Sequence, residues 1–209
     1  NSIAIDLPSQ DGLYLTSGKI PLTWSAGDDS SGIAGLRYWI IDNGETPGQG
    51  RYISLSSGLT EYAHNLKILT GKTNGQTYHL EMAVIDKAGN SSDTYRLSQG
   101  FRLDTTPPEA GLALTGLYPN GAGLYLTDLE NLQANLTVDE AESGAIASFN
   151  LLDGSDGTPI TTWDQWDTVK EQAVLTPGGK YRVAARVTNG VGLETEVSSE
   201  EFTFDSTAP

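Results

Sequence analysis

The sequence predicts an all-β chain built as two tandem antiparallel β-sandwiches, and three observations predict it. Thr, Val, Ile, Leu and aromatic residues come in short runs separated by turn residues, with 24 glycines and 9 prolines among 209 residues. Such runs make strands rather than long helices. Within the runs apolar residues recur with period two, the spacing that lines one face of a half-buried strand. Finally, Gly12-Leu13-Tyr14-Leu15-Thr16 recurs letter for letter as Gly123-Leu124-Tyr125-Leu126-Thr127, the mark of one module present twice. The length suits two modules of about 100 residues, each able to bury its own core.

The elements follow in order. In the first copy Lys19 to Ala26 sets Ile20, Leu22 and Trp24 on one face and Lys19, Pro21 and Thr23 on the other, and is expected to be the second strand of a sandwich, B. After the turn Gly27 to Gly32, Leu36 to Ile41 is expected to be strand C. Tyr78, Leu80, Met82 and Val84 alternate with His79, Glu81 and Ala83 to give strand F, and Tyr95 to Leu103 gives strand G. In the second copy Leu132, Ala134, Leu136 and Val138 form the inner face of B, with Leu136 in the place of Trp24. Tyr181, Val183, Ala185 and Val187 form that of F. No segment has the pattern of a helix of ordinary length.

Each copy ends in a related seam, Asp104-Thr105-Thr106-Pro107-Pro108 and Asp205-Ser206-Thr207-Ala208-Pro209. Prolines of this kind do not continue a central strand and stiffen a connection. The expected domains are therefore residues 1–104 and 105–209. A chain that starts at Asn1 and ends on its own seam is expected to be a fragment, with a further module after it.

The second strand F is preceded by Leu175-Thr176-Pro177-Gly178-Gly179-Lys180-Tyr181 and followed by Asn189-Gly190-Val191-Gly192. This resembles the fibronectin type III pattern of leucine, Pro-Gly turn and corner tyrosine. The first copy resembles the same family through Trp24, and through Asp86-Lys87-Ala88-Gly89-Asn90 it is similar to bacterial immunoglobulin-like modules whose last strand ends in Asp-Thr-Thr-Pro-Pro. The leucine of the first copy stands off the corner spacing, because extra residues separate Leu69 from Tyr78. The resemblance spans nearly the whole chain. It implies immunoglobulin-like or fibronectin type III-like sandwiches of a large bacterial surface or secreted protein.

Charge narrows the partners. There are 12 basic and 27 acidic residues, a net charge of −15. Residues 1–104 carry 8 basic and 11 acidic side chains and residues 105–209 carry 4 and 16, so the acidity is concentrated in the second copy. A phosphate backbone or an anionic membrane surface would be repelled, which argues against nucleic acid as a partner. There is no cysteine, which excludes disulfides and thiolate metal sites. No run of 18 apolar residues occurs, so membrane insertion is not expected.

Two candidate sites stand out. The fold implied by the resemblance gathers the BC and FG loops at one pole, where Asp28 and Asp29 approach Asp86 and Asn90. Asp104, Asp139, Glu140 and Asn189 are their counterparts in the second copy. Several oxygen ligands together suit a hard cation, and calcium is the expected one. The competing reading is that Asp, Asn and Gly make turns and cap backbone groups. The second candidate is Trp163-Asp164-Gln165-Trp166-Asp167, in which two indoles beside acids would form a carbohydrate platform, against the commoner role of tryptophan as core.

Catalytic patterns are lacking. The two histidines, His64 and His79, have no nucleophile beside them in a known arrangement, and there is no Gly-x-Ser-x-Gly elbow, phosphate-cradling loop or His-Glu-x-x-His. The expectation is a non-catalytic, extracellular or cell-surface pair serving as spacer or adhesive stalk. Its partners would be neighbouring modules of the same parent chain, or a surface receptor or glycan. The alternative is an accessory carbohydrate-binding pair of a secreted polysaccharide-degrading enzyme.

Overall fold

The computed structural model describes residues 3–6, 14–15, 19–28, 30–42, 48–55, 61–67, 72–96, 100–121 and 123–207. The chain divides into two compact units, Asn1–Thr105 and Thr106–Pro209. Each is an all-β sandwich of mainly antiparallel strands.

In the first unit one sheet has the order β1 (Ile3–Asp6), β3 (Lys19–Ala26), β6 (Glu61–Lys67). The second has the order β2 (Tyr14–Leu15), β9 (Phe101–Leu103), β7 (Thr77–Asp86), β4 (Ile33–Asp42), β5 (Arg51–Ser54), with β8 (Tyr95–Arg96) added to β7. Alternation puts Ile20, Leu22 and Trp24 of β3 against Leu36, Tyr38 and Ile40 of β4 and Tyr78, Leu80, Met82 and Val84 of β7, all buried. Pro21 sits in β3 beyond the reach of β1, which pairs only from Thr23 to Ala26. A residue without an N–H is tolerated there. Within the last strand expected over Tyr95 to Leu103, the described residues form β8 and β9, which bond to different stretches of β7; residues 97–99 lie outside the described residues.

In the second unit β10 (Glu109–Thr115) pairs with β13 (Gln133–Asp139) alone. The facing sheet has the order β11 (Tyr118–Asn120), β12 (Gly123–Leu126), β17 (Phe202–Phe204), β15 (Lys180–Asn189), β14 (Ala145–Asp153), with β16 (Glu194–Ser198) on β15. A 3-10 turn at Leu129–Asn131 precedes β13. A seven-residue helix, α1 (Trp166–Gln172), stands between β14 and β15 in the chain, where the first unit has β6. Its Val169 is fully buried in a core with Leu132, Leu151, Tyr181, Val183 and Phe202.

The Tyr-Leu pair within the repeated pentapeptide is the same element in both units. Tyr14 and Leu15 pair in parallel with Arg102 and Leu103, and Tyr125 and Leu126 pair in parallel with Thr203 and Phe204. Both units also carry the tyrosine corner. The Tyr78 hydroxyl accepts from the Thr73 N–H at 2.7 Å and Tyr181 accepts from Thr176 at 2.9 Å. The rings meet Phe101 and Phe202 at the same centroid distance, 6.0 Å, and at 37° and 39°. The corner of the first unit does without the leucine. Lys72 holds that place, with its ammonium 4.7 Å from the Tyr78 ring centroid, a cation–π contact replacing an aliphatic one.

Candidate functional site

The acidic residues picked out by the sequence lie in two turns of each sandwich, and local backbone geometry explains most of them. In the first unit the turn after β3 is closed by Asp28. Its Oδ2 accepts from the N–H of Ser31 at 2.7 Å and of Gly32 at 2.6 Å. The turn after β7 is closed by Asp86, whose Oδ1 accepts from Asn90 N–H at 2.7 Å and whose Oδ2 accepts from Asn90 Nδ2 at 2.8 Å. Gly89 has φ of 91° there, the left-handed region that a glycine enters without a Cβ clash. The turns are tied together by Lys87 N–H donating to Gly32 O at 2.9 Å.

These bonds set the electrostatics. The Gly32 N–H is the main reason that the Asp28 carboxyl titrates below the usual aspartate range, and the Asn90 side chain is the main reason for Asp86. The Ser31 hydroxyl also donates to Asp28 Oδ2 at 3.2 Å, and the same side chain adds a smaller lowering effect on the Asp86 carboxyl. Asp29 lies outside the described residues.

The second unit repeats the scheme with different side chains. Glu140 Oε1 accepts from Glu142 and Ser143 N–H at 3.0 and 3.2 Å, as Asp28 does in the first unit. Asn189 takes the place of Asp86. Its Oδ1 accepts from Leu193 and Val191 N–H at 2.8 and 3.3 Å. Its amide Nδ2 donates to Thr106 O at 3.2 Å and to Glu140 Oε2 at 3.4 Å. Gly190 N–H donates to Gly144 O at 2.9 Å, matching Lys87 and Gly32. An amide donor thus stands between a carboxylate and a carbonyl, as a cation would, but without charge.

Asp139 is exposed at the end of β13, across from Glu109. Asp104 closes the first unit, its N–H donating to Leu15 O at 3.0 Å. Sequence reasoning missed the serines and threonines that complete these turns. Thr105 Oγ1 donates to Asn74 Oδ1 at 2.8 Å within the first unit, and Thr195 Oγ1 donates to Pro108 O at 2.6 Å within the second.

The two indoles do not form one platform. Trp166 points inward from α1, its ring 6.0 Å from that of Phe149 and its Nε1 donating to Leu132 O at 3.2 Å. Trp163 lies over the Arg186 guanidinium, 4.2 Å from ring centroid to Cζ. Arg186 alternates on β15 with the buried Ala185 and Val187, so it and Trp163 belong to the outer face. Between the two tryptophans the chain crosses the sheet edge, with Asp164 bridged to Phe149 of β14. One indole serves the core and the other lies over a cation on the surface.

The second unit also has a cleft of about 280 Å³ lined by Leu112, Ala113, Leu114, Leu117, Leu124, Ser199 and Glu200. Its hydroxyl is already engaged. Ser199 Oγ accepts from Val183 N–H at 3.0 Å and donates to Glu200 O at 2.8 Å. Among the described residues no helix is long and apolar enough to cross a membrane.

No protein-family model matches the chain, and no curated protein does. Among solved structures the chain is similar to the D00-D0 domain of intimin, at 15% identity over 97% of this chain and 99% of that one, with a TM-score of 0.27. A likeness that distant carries no argument about what this chain does.

Proposed function

We propose that the chain is a non-catalytic pair of spacer modules from a larger cell-surface or secreted protein, holding neighbouring parts of that protein apart and presenting them. One observation carries this reading. Bonds internal to the first sandwich hold the chain up to Thr105, through Asp104 to Leu15 and Thr105 to Asn74. Bonds internal to the second hold it from Thr106, through Asn189 to Thr106 and Thr195 to Pro108. A connection in which Asp104, Thr105, Thr106 and Pro108 are each bonded within a sandwich differs from a flexible Gly/Ser linker, and the prolines Pro107 and Pro108 restrict its backbone further. The polar residues at the loop pole also serve the fold, as acceptors that close turns, rather than standing open to a substrate.

The test is the distribution of end-to-end distances, by single-molecule energy transfer between dyes near residues 2 and 207. The expected result is one narrow distribution that widens when Thr105, Thr106, Pro107 and Pro108 are all replaced by glycine. A broad distribution in the natural sequence would sink the spacer reading.

A further inference from the structure

The two sandwiches differ most at one strand edge. In the first unit β3 is bonded on both sides, by β1 and by seven residues of β6. In the second unit β13 is bonded by β10 alone among the strands; the helix that replaces the third strand packs mainly on β14 and reaches this edge only just before β13, where Trp166 Nε1 donates to Leu132 O. The outer edge of β10 lies against β16. The far edge of β13 therefore presents a row of backbone donors and acceptors with no strand beside it among the described residues. Natural edges of this kind are usually blunted by lysine, proline or a bulge. Gln133-Ala134-Asn135-Leu136-Thr137-Val138-Asp139 has none of the three, and its pairing with β10 is regular throughout.

The occupant that fits is the same strand from a second copy. In an antiparallel pair, directly opposite residues share a face, so the allowed registers of β13 against itself are those centred on a residue. Centring on Leu136 is the one register that pairs all seven positions. It sets Leu136 against Leu136, Ala134 against Val138, Asn135 against Thr137 and Gln133 against Asp139. The apolar face stays apolar, the outer face stays polar, and no like charges oppose, because Asp139 is the only ionised residue of the strand. Ala134 and Leu136 pack on their own core. Val138, on the same face, is left 42% exposed at the strand end, and in this register it lies beside the other copy's Ala134.

We infer that β13 is a self-complementary edge through which two copies of this chain join across a two-fold axis, making one continuous sheet in the order β10-β13-β13-β10. Such an interface is isologous. The net charge of −15 on each copy opposes it, so added salt strengthens the pairing by screening that repulsion.

The experiment is sedimentation equilibrium of the whole chain over a wide range of protein and salt concentrations. A reversible monomer–dimer equilibrium that tightens with salt is expected. In the double variant Asn135→Lys with Thr137→Lys, lysine opposes lysine twice across the axis, and the dimer weakens at least about tenfold. The corresponding double glutamate variant weakens likewise, and an equimolar mixture of the two forms a heterodimer. Both substitutions fall on the exposed face of β13, and an unchanged thermal midpoint at low protein concentration verifies that each variant folds. A natural sequence that stays monomeric in all conditions overturns the inference. So does a dimer that neither variant weakens, or a mixture that fails to associate.

Discussion

The first sandwich closes its smaller sheet with a strand, whereas the second leaves that sheet open and covers the core with a helix. Around this difference the bonds that frame each unit coincide. Both have the same parallel strand pair, the same tyrosine corner and the same glycine-bearing turn after the strand that carries the corner tyrosine, β7 or β15. The bulk that fills the core comes from different places. Trp24 is 3% exposed in β3, whereas Leu136 holds that strand position in β13 and the indole arrives from α1 as Trp166. The frame is set by a few short-range polar bonds, and the filling is exchangeable as long as volume and apolarity are kept, as expected of close-packed interiors.

The largest effect that would sharpen this comparison is the loss of each indole. Trp24→Ala is expected to destabilise the first unit by about 3–5 kcal/mol, as for a large side chain removed from a closed core. Trp166→Ala is expected to cost the second unit about 1–2 kcal/mol, because that ring is only part-buried and contributes one hydrogen bond. Denaturant titrations read from resolved resonances of each unit would separate the two. Equal costs would mean that the helix closes its core as tightly as the strand does.

Next is the corner. Tyr78→Phe and Tyr181→Phe each remove the hydroxyl that satisfies a threonine N–H, at about 1–2 kcal/mol. The frame being common, the two losses should match. A clear inequality would show that Lys72 or Leu175 changes what the corner is worth.

The smallest effect is on acidification. Asp86 titrates below its ordinary value of 3.8 because Asn90 bonds the charged form. Its contribution is complete above the unfolded value and is lost as pH falls through the lower folded one. Asn189 does not titrate. The Asn90 amide resonance should therefore shift as pH drops below about 3.8, and Asp86→Asn should abolish that shift. An Asn90 amide that stays in place on acidification would contradict the assignment of Asp86 as the acceptor.

The sequence made much of this frame legible. Period-two alternation in β3, β4, β7, β13 and β15 is strong because each strand has one face on a core. The repeat of Gly-Leu-Tyr-Leu-Thr marked two copies, but the role of its Tyr-Leu pair as a parallel partner depends on a strand at the far end of the same unit, Arg102–Leu103 or Thr203–Phe204. The helix α1 was invisible, since seven residues with one fully buried position carry too little periodicity to distinguish it from a loop. The corner of the first unit was hidden by Lys72, a residue that serves through its ring contact rather than through apolarity. At the loop pole the residue types were legible and their hydrogen bonds were not. Asp28, Asp86, Glu140 and Asn189 each accept from a backbone N–H, a group that every residue but proline carries and that no composition reveals.

The parallel pairing of β2 with β9 and of β12 with β17 bears on how a unit responds to force. One strand of each pair lies early in its unit and the other ends it, and both run the same way. A pull on the ends, once it reaches these strands, drags them past each other along their length. Their ladder bonds, extended by Asp104 to Leu15 and Asp205 to Leu126, are then loaded together in shear rather than opened one after another. A hairpin pulled apart at its open end would unzip bond by bond; in these parallel pairs the bonds share the load instead.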